Sequence, residues 1–287
     1  MRRSLLFPLL MLMCTATVFG QVSFGQSELF NNDWLFSLSD DVTAAKPKYD
    51  DSAWRRLALP HDWSIEAEPS RKWASCTGYL PGGTGWYRKH FDMEAGNGKQ
   101  YIYFEGVYNR SEVYLNGHLL GKRPNGYVSF LYDMTPYLRN GDNVLAVRVD
   151  HSRYADSRWY TGSGIYRDVW LIRAPMVHLS QWGVTYRLAK LNQDGSAEVE
   201  VDVAVDMLPK KRKSNDYAVE VILRDAKGRE VCKQDCEALS QQTIPLTLPN
   251  VHLWEFSDPY LYTLQVNLKA EGRISDQTSV KAGLRTL

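Results

Sequence analysis

The stretch SAEVEVDVAVD, residues 196–206, decides the fold. Val199, Val201, Val203 and Val205 alternate with Glu200, Asp202 and Ala204. A period of two puts the valines on one side of an extended chain, whereas a helix would scatter them around its axis. Branching at Cβ adds to the preference for a strand. A half-buried β-strand is therefore expected. Working outward, NVLAVRVD (residues 143–150) carries Val144 and Ala146 on one face and Leu145 and Val147 on the other. Apolar residues on both faces mark a central strand. In EVYLNGHL (residues 112–119), Asn116-Gly117 sits between two apolar runs, a strong hairpin signal. DAKG (residues 225–228) and EGR (residues 271–273) mark two more hairpins. Helical periodicity is nearly absent, so the chain is expected to be all-β.

At 287 residues the chain has room for about two domains. Hydrophobic residues make up 44% and charged residues 23%, which excludes a disordered protein. Aromatics are frequent, with 9 Trp and 17 Tyr, and such rings suit β-sheet surfaces and sugar-binding faces alike. The texture changes along the chain. Residues 25–174 are rich in Trp, Tyr and Gly, with long loops; residues 178–281 read as shorter strands of a small sandwich. The join falls near Ala174-Pro175. The basic run KKRK (residues 210–213) reads as a solvated hairpin tip rather than a nucleic-acid contact.

Residues 1–20 read as a secretory signal. Arg2 and Arg3 are followed by an apolar run from Leu5 to Met13, then by small residues before a cut at Gln21. The run is shorter than the ~20 apolar residues of a membrane span. Cys14 as a lipidated residue is disfavoured by the bulky Met13 before it. The expected location is thus periplasmic or extracellular. Removing Arg2 and Arg3 leaves 32 basic and 33 acidic residues, with no positive surplus for a nucleic-acid backbone. Cys76, Cys232 and Cys236 remain, without zinc-site spacing. Cys232 and Cys236 can form a local bridge or stay as two free thiols.

Five groups of residues, in order, carry a resemblance. The first is Asp50-Asp51-Ser52-Ala53-Trp54 followed by Leu59-Pro60-His61-Asp62-Trp63. The second is Gly83-Thr84-Gly85-Trp86-Tyr87-Arg88-Lys89. The third is Phe104-Glu105-Gly106-Val107 with Val113-Tyr114-Leu115-Asn116-Gly117 and Leu120-Gly121. The fourth is Ser157-Arg158-Trp159-Tyr160 through Gly164-Ile165-Tyr166-Arg167-Asp168-Val169. The fifth is Leu253-Trp254 with Pro259-Tyr260-Leu261-Tyr262. Together they resemble the non-catalytic N-terminal half of glycoside hydrolase family 2, and the LPHDW form is similar to its β-galactosidase-like members. The resemblance implies a sugar-binding jelly-roll over residues 21–175 and an immunoglobulin-like β-sandwich over 176–281. Residues 282–287 then look like the lead-in to a catalytic TIM barrel.

In the family that barrel carries both catalytic glutamates. Retaining hydrolysis needs two carboxylates ~5–5.5 Å apart, and no pair in this sequence is singled out by spacing. No catalytic residue, metal ligand or cofactor is therefore assigned. The resemblance does imply that jelly-roll loops form one wall of the first sugar subsite, with a β-galactoside-like carbohydrate as ligand. Asp62 can accept bonds from sugar hydroxyls or cap a turn. Trp63 and Trp159 can stack on a sugar ring or belong to the core. Arg158 can bind sugar hydroxyls or pair with a neighbouring acid; some relatives have an aspartate near that position with a role in sodium binding, so sodium is not expected here. The implied partner is a catalytic barrel in cis or in trans, and homo-oligomerisation is left open. The rival readings are a free-standing carbohydrate-binding module and a docking partner of a separately encoded barrel.

Overall fold

The computed structural model describes residues 22–94, 96–155, 157–211 and 216–286. The proposed signal sequence and the end of the basic run, Arg212 and Lys213, lie outside these residues. Among the described residues Lys210 and Lys211 are exposed between two strands.

Seventeen strands follow one another: β1 (Gln26–Leu29), β2 (Trp34–Ser37), β3 (Arg55–Leu57), β4 (Gly83–Met93), β5 (Lys99–Phe104), β6 (Ser111–Leu115), β7 (His118–Arg123), β8 (Phe130–Asp133), β9 (Gly141–His151), β10 (Val169–Ala174), β11 (His178–Leu191), β12 (Ala197–Asp206), β13 (Tyr217–Arg224), β14 (Glu230–Glu237), β15 (Gln241–Leu248), β16 (Tyr262–Ala270) and β17 (Arg273–Ala282). They form four antiparallel sheets. A six-stranded sheet, β3-β2-β4-β9-β6-β7, faces a four-stranded sheet, β1-β10-β5-β8, in the jelly-roll. A three-stranded sheet, β11-β12-β15, faces β14-β13-β16-β17 in the second sandwich.

The deciding stretch forms β12. Its valines are buried and its acidic residues lie toward solvent, with Glu200 opposite Arg187 of β11 and Asp202 accepting from Thr243 Oγ1 of β15 at 2.6 Å. β9 is central, as its two apolar faces require. Leu145, Val147 and Val149 join the jelly-roll core, while Ala146 packs with Trp86 and Ala44 on the other face. Asn116 and Gly117 form the β6–β7 hairpin with φ of 52° and 85°, the left-handed pair of a type I′ turn.

The first two sequence groups meet in one contact. Arg88 on β4 is fully buried; its Nε donates to Asp51 at 2.6 Å, and its guanidinium also serves the carbonyls of Lys46 and Pro47. Burial alone would raise the Asp51 carboxyl. Its bonds from Arg88 and His90 outweigh that and hold it below its ordinary range.

The two sandwiches share apolar packing. On β5, Ile102 and Phe104 face the jelly-roll core, while Tyr101 and Tyr103 face the second sandwich with Ile172 and Ala174 of β10. Across the junction Asp276 accepts the amides of Gly25 and Leu179, both at 2.8 Å. Residues 283–286, implied by the resemblance to lead into a barrel, lie against the second sandwich: Leu284 is buried, and its carbonyl accepts from Trp254 N at 2.7 Å. The cysteine alternatives resolve to free thiols. Cys232 and Cys236 share strand β14 four residues apart, roughly 13 Å at ~3.3 Å per residue, beyond disulfide reach.

Candidate functional site

Two loops at one end of the jelly-roll build the site: residues 58–82 after β3 and residues 152–168 after β9. Backbone bonds clamp the second loop onto the first. His61 N donates to Ile165 O at 2.8 Å and Trp63 N to Ser163 O at 3.1 Å, while Gly164 exchanges a bond pair with Tyr108. Two glycines allow this close approach. Gly164 has φ of 121°, and a Cβ there would stand 2.2 Å from the Tyr87 hydroxyl; a Cβ at Gly162, φ 75°, would meet the Asp62 carboxylate at 2.8 Å.

Asp62 is the tie between the loops. Its Oδ1 accepts Ser64 N at 3.0 Å and Ser163 N at 2.8 Å, and its Oδ2 accepts the Tyr160 hydroxyl. A carboxylate offers about four lone-pair positions, so about one is left for a ligand. Burial, and then the bond to Asp62, push the Tyr160 phenol well above its ordinary range, which keeps it a donor. The turn role and the ligand role of Asp62 are thus compatible.

Trp63 is 4% exposed, and here the sugar-stacking expectation is corrected. Its ring stacks on Phe36 at 5.7 Å and 23°, a Cβ on Gly85 would come within 3.0 Å of it, and its Nε1 donates to Gly82 O. No face is left for a sugar. Trp159 is the opposite case at 61% exposure; among the described residues its ring is held by one hydrogen bond, from Nε1 to the Tyr127 hydroxyl at 3.0 Å. Arg158 is exposed and makes no hydrogen bond or ion pair among the described residues. The structure therefore places Asp62 and the exposed Arg158 and Trp159 in the two clamped loops and sends Trp63 inward.

Tyr127 and Tyr160 bond to two of these residues, Trp159 and Asp62, and were missed as site residues. Tyr160 stood inside a quoted motif. Tyr127 follows Asn125-Gly126 in a polar loop, where an exposed aromatic was the available signal.

Ser163, Ser64 and His151 form a buried chain that looks like a nucleophile–base pair and is not one. Ser64 Oγ donates to Pro81 O at 2.6 Å, so it accepts from Ser163 Oγ; the Ser163 proton being spent, Ser163 accepts from His151 Nδ1 at 2.6 Å. The imidazole is the donor, so it cannot draw a proton from the hydroxyl through that bond. His61 is held between Tyr87, Arg55 and Glu66, and burial keeps its imidazole below its ordinary pKa. No group of three or more His, Cys, Asp or Glu side chains suited to a metal ion occurs among the described residues.

Two family models cover nearly the whole chain. The one described as "Glycosyl hydrolases family 2, sugar binding domain" matches residues 28–175, and "Glycosyl hydrolases family 2" matches residues 177–285. The chain belongs to glycosyl hydrolase family 2. It is 41% identical over 268 residues to the β-galactosidase BoGH2A of Bacteroides ovatus, covering 90% of this chain and 31% of that protein. It is 26% identical to a β-glucuronidase of Formosa agariphila, covering 89% of this chain and 29% of that protein. A β-glycosidase structure from Bacteroides vulgatus superposes with a TM-score of 0.85 at 38% identity, covering 92% of this chain and 34% of that one. The chain spans about a third of the length of these relatives. As a family 2 N-terminal region, it pairs a sugar-binding jelly-roll with a second sandwich, and all its described strands lie in antiparallel sheets.

Proposed function

We propose that this chain acts as the non-catalytic N-terminal portion of an exported, β-galactosidase-type family 2 hydrolase, and that its jelly-roll end supplies one wall of the sugar subsite. The observation that carries the reading is the tie between Asp62 and Tyr160. It ties a carboxylate to a phenol in the two clamped loops, one of which carries the exposed Trp159 ring. Exposed aromatics with nearby hydrogen-bonding groups suit a sugar, which has apolar ring faces and polar edges. Arg158 stands free beside them to bind hydroxyls with a planar fork. The two carboxylates and the rest of the pocket come from a barrel in cis or in trans, since hydrolysis needs a nucleophile and an acid/base at fixed separation.

The chain should not hydrolyse aryl β-galactosides or β-glucuronides. Galactose or lactose should bind with a dissociation constant around millimolar or weaker, because one wall buries little of a ligand; millimolar corresponds to about −4 kcal/mol. Turnover well above a blank, abolished by a point substitution within residues 21–287, would overturn the reading. Micromolar calorimetric binding would replace it with a free-standing carbohydrate-binding module.

A further inference from the structure

A second concave site lies beside the Asp62–Tyr160 surface. It is a cavity of about 220 Å³, lined by Trp73, Thr77 and Leu80 from one loop and by His151, Arg153 and Tyr154 from the other, with Gly82 and Gly83 at its base. Its walls are firmly set. His151 pairs with Gly83 across β9 and β4, Gly82 lies so close to the His151 carbonyl that a Cβ would sit 2.1 Å from it, and Thr77 Oγ1 donates to Ala74 O at 2.9 Å. Two of the lining aromatic residues are exposed, Trp73 at 38% and Tyr154 at 63%.

Among the described residues that line the cavity, Arg153 is the one arginine or lysine, and none is an aspartate or glutamate. Arg153 is exposed and makes no ion pair or hydrogen bond among the described residues. Arg71 and Lys72, immediately before Trp73, are exposed as well. A guanidinium without an acidic partner and two exposed aromatic rings lining one cavity call for a ligand with a flat apolar side and a carboxylate. The size points to a single ring, since 220 Å³ falls below the ~300–1,000 Å³ of drug-sized ligand pockets.

We propose that this cavity is a separate subsite for an acidic sugar residue, a uronosyl ring stacked against Trp73 or Tyr154 with its carboxylate on the Arg153 fork. A bidentate guanidinium–carboxylate pair is stronger and more directional than a bond to a neutral hydroxyl, so the charge gives the selectivity and the rings give the stacking. The site adjoins the first one. Thr77 lines the cavity, and the next residue, Gly78, approaches the Tyr160 ring, whose Cδ2 would lie 3.8 Å from a Cβ at that position. One branched or extended glycan can thus touch both. The subsite stands on its own lining and does not depend on the proposed function.

The test is a titration of the full chain with D-glucuronate and D-galacturonate against glucose and galactose, followed by amide and indole chemical shifts. The uronates should shift Trp73, Gly82 and Gly83 saturably and bind about tenfold more tightly than the neutral sugars. Arg153→Gln should remove that preference while leaving neutral-sugar binding and the spectrum of the folded chain intact. Equal binding of acidic and neutral sugars, uronate affinity unchanged in Arg153→Gln, or shifts centred on Asp62 and Trp159 instead, would each overturn the proposal. Arg153→Lys separates charge from geometry: loss of most of the preference supports the bidentate pair, and full retention overturns it.

Discussion

Trp63 and Trp159 lie in the two clamped loops, yet replacing them with alanine should have opposite consequences. Trp63 is 4% exposed, packs on Phe36 and against Gly85, and donates to Gly82 O at 3.2 Å. Removing a buried tryptophan leaves a large cavity and costs about 3–5 kcal/mol. The carbonyl of Gly82 loses its donor as well. For a jelly-roll of this size each kcal/mol lowers Tm by ~2–4 °C, so Trp63→Ala should melt roughly 6–20 °C lower. Trp159 is 61% exposed, and among the described residues its side chain makes one hydrogen bond, to Tyr127. Its loss should cost no more than about 1 kcal/mol, a shift of at most about 2–4 °C. Differential scanning calorimetry with urea unfolding followed by near-ultraviolet circular dichroism measures both. Grafted onto a catalytic barrel from a relative, Trp159→Ala and Arg158→Ala should impair hydrolysis while Tm stays nearly constant. Trp63→Ala within 2 °C of the parent, or a Trp159→Ala loss as large as that of Trp63→Ala, would refute the assignment of one ring to the core and the other to the surface.

Asp62→Ala should destabilise by about 2–4 kcal/mol, because the amides of Ser64 and Ser163, both buried, lose their acceptor; faster hydrogen exchange at Ser163 N is the direct readout, and Asp62→Asn should lose less. Glu220 takes bonds from Lys233, Lys269 and Asn267, and the two lysine bonds, ahead of the opposing effect of burial, draw its carboxyl from the ordinary 4.5 to about 2. A depressed carboxyl stabilises above its unfolded pKa and loses that contribution as pH falls toward the folded one, so stability should decline between about pH 5 and 2. The full shift is roughly 3 kcal/mol, and solvent screening at the lysines reduces it to about 1–2 kcal/mol. Glu220→Gln should flatten that part of the urea-midpoint against pH curve, and an unchanged curve would count against the cluster.

Much of the fold was legible because its signals are local. Alternation in residues 196–206 fixes which side chains of β12 are buried, and Asn116-Gly117 supplies the positive φ values that the β6–β7 hairpin needs. The double-sided apolar pattern of residues 143–150 announced a central strand, although not that a loop bearing Ala44 would cover its outer face. The site was harder to read. Asp62 and Tyr160 are 98 residues apart, and no local pattern encodes their bond. Trp63 misled because a tryptophan beside an aspartate in a turn reads the same whether the ring points in or out. The outcome depends on the absence of a side chain at Gly85, on a strand that begins 20 residues later.

The shared packing between the sandwiches bears on how a wall made of loops can be useful at all. Loop residues fix a ligand only if their scaffold does not move under them. Here the sheet opposite the six-stranded one is covered on both faces: Ile102 and Phe104 point into the jelly-roll, Tyr101 and Tyr103 into the second sandwich. Sliding one sandwich past the other would expose two tyrosines and Ile172 and break the amide bonds of Gly25 and Leu179 to Asp276. Burial already raises the Asp276 carboxyl, so its ionised form depends on those amides. On the proposed function, the second sandwich thus steadies the end of the jelly-roll that would face the sugar, by packing across the join at residues 175–177. Rigidity there passes through β10 and its partner β5 to the loop that holds Arg158 and Trp159, since that loop ends where β10 begins.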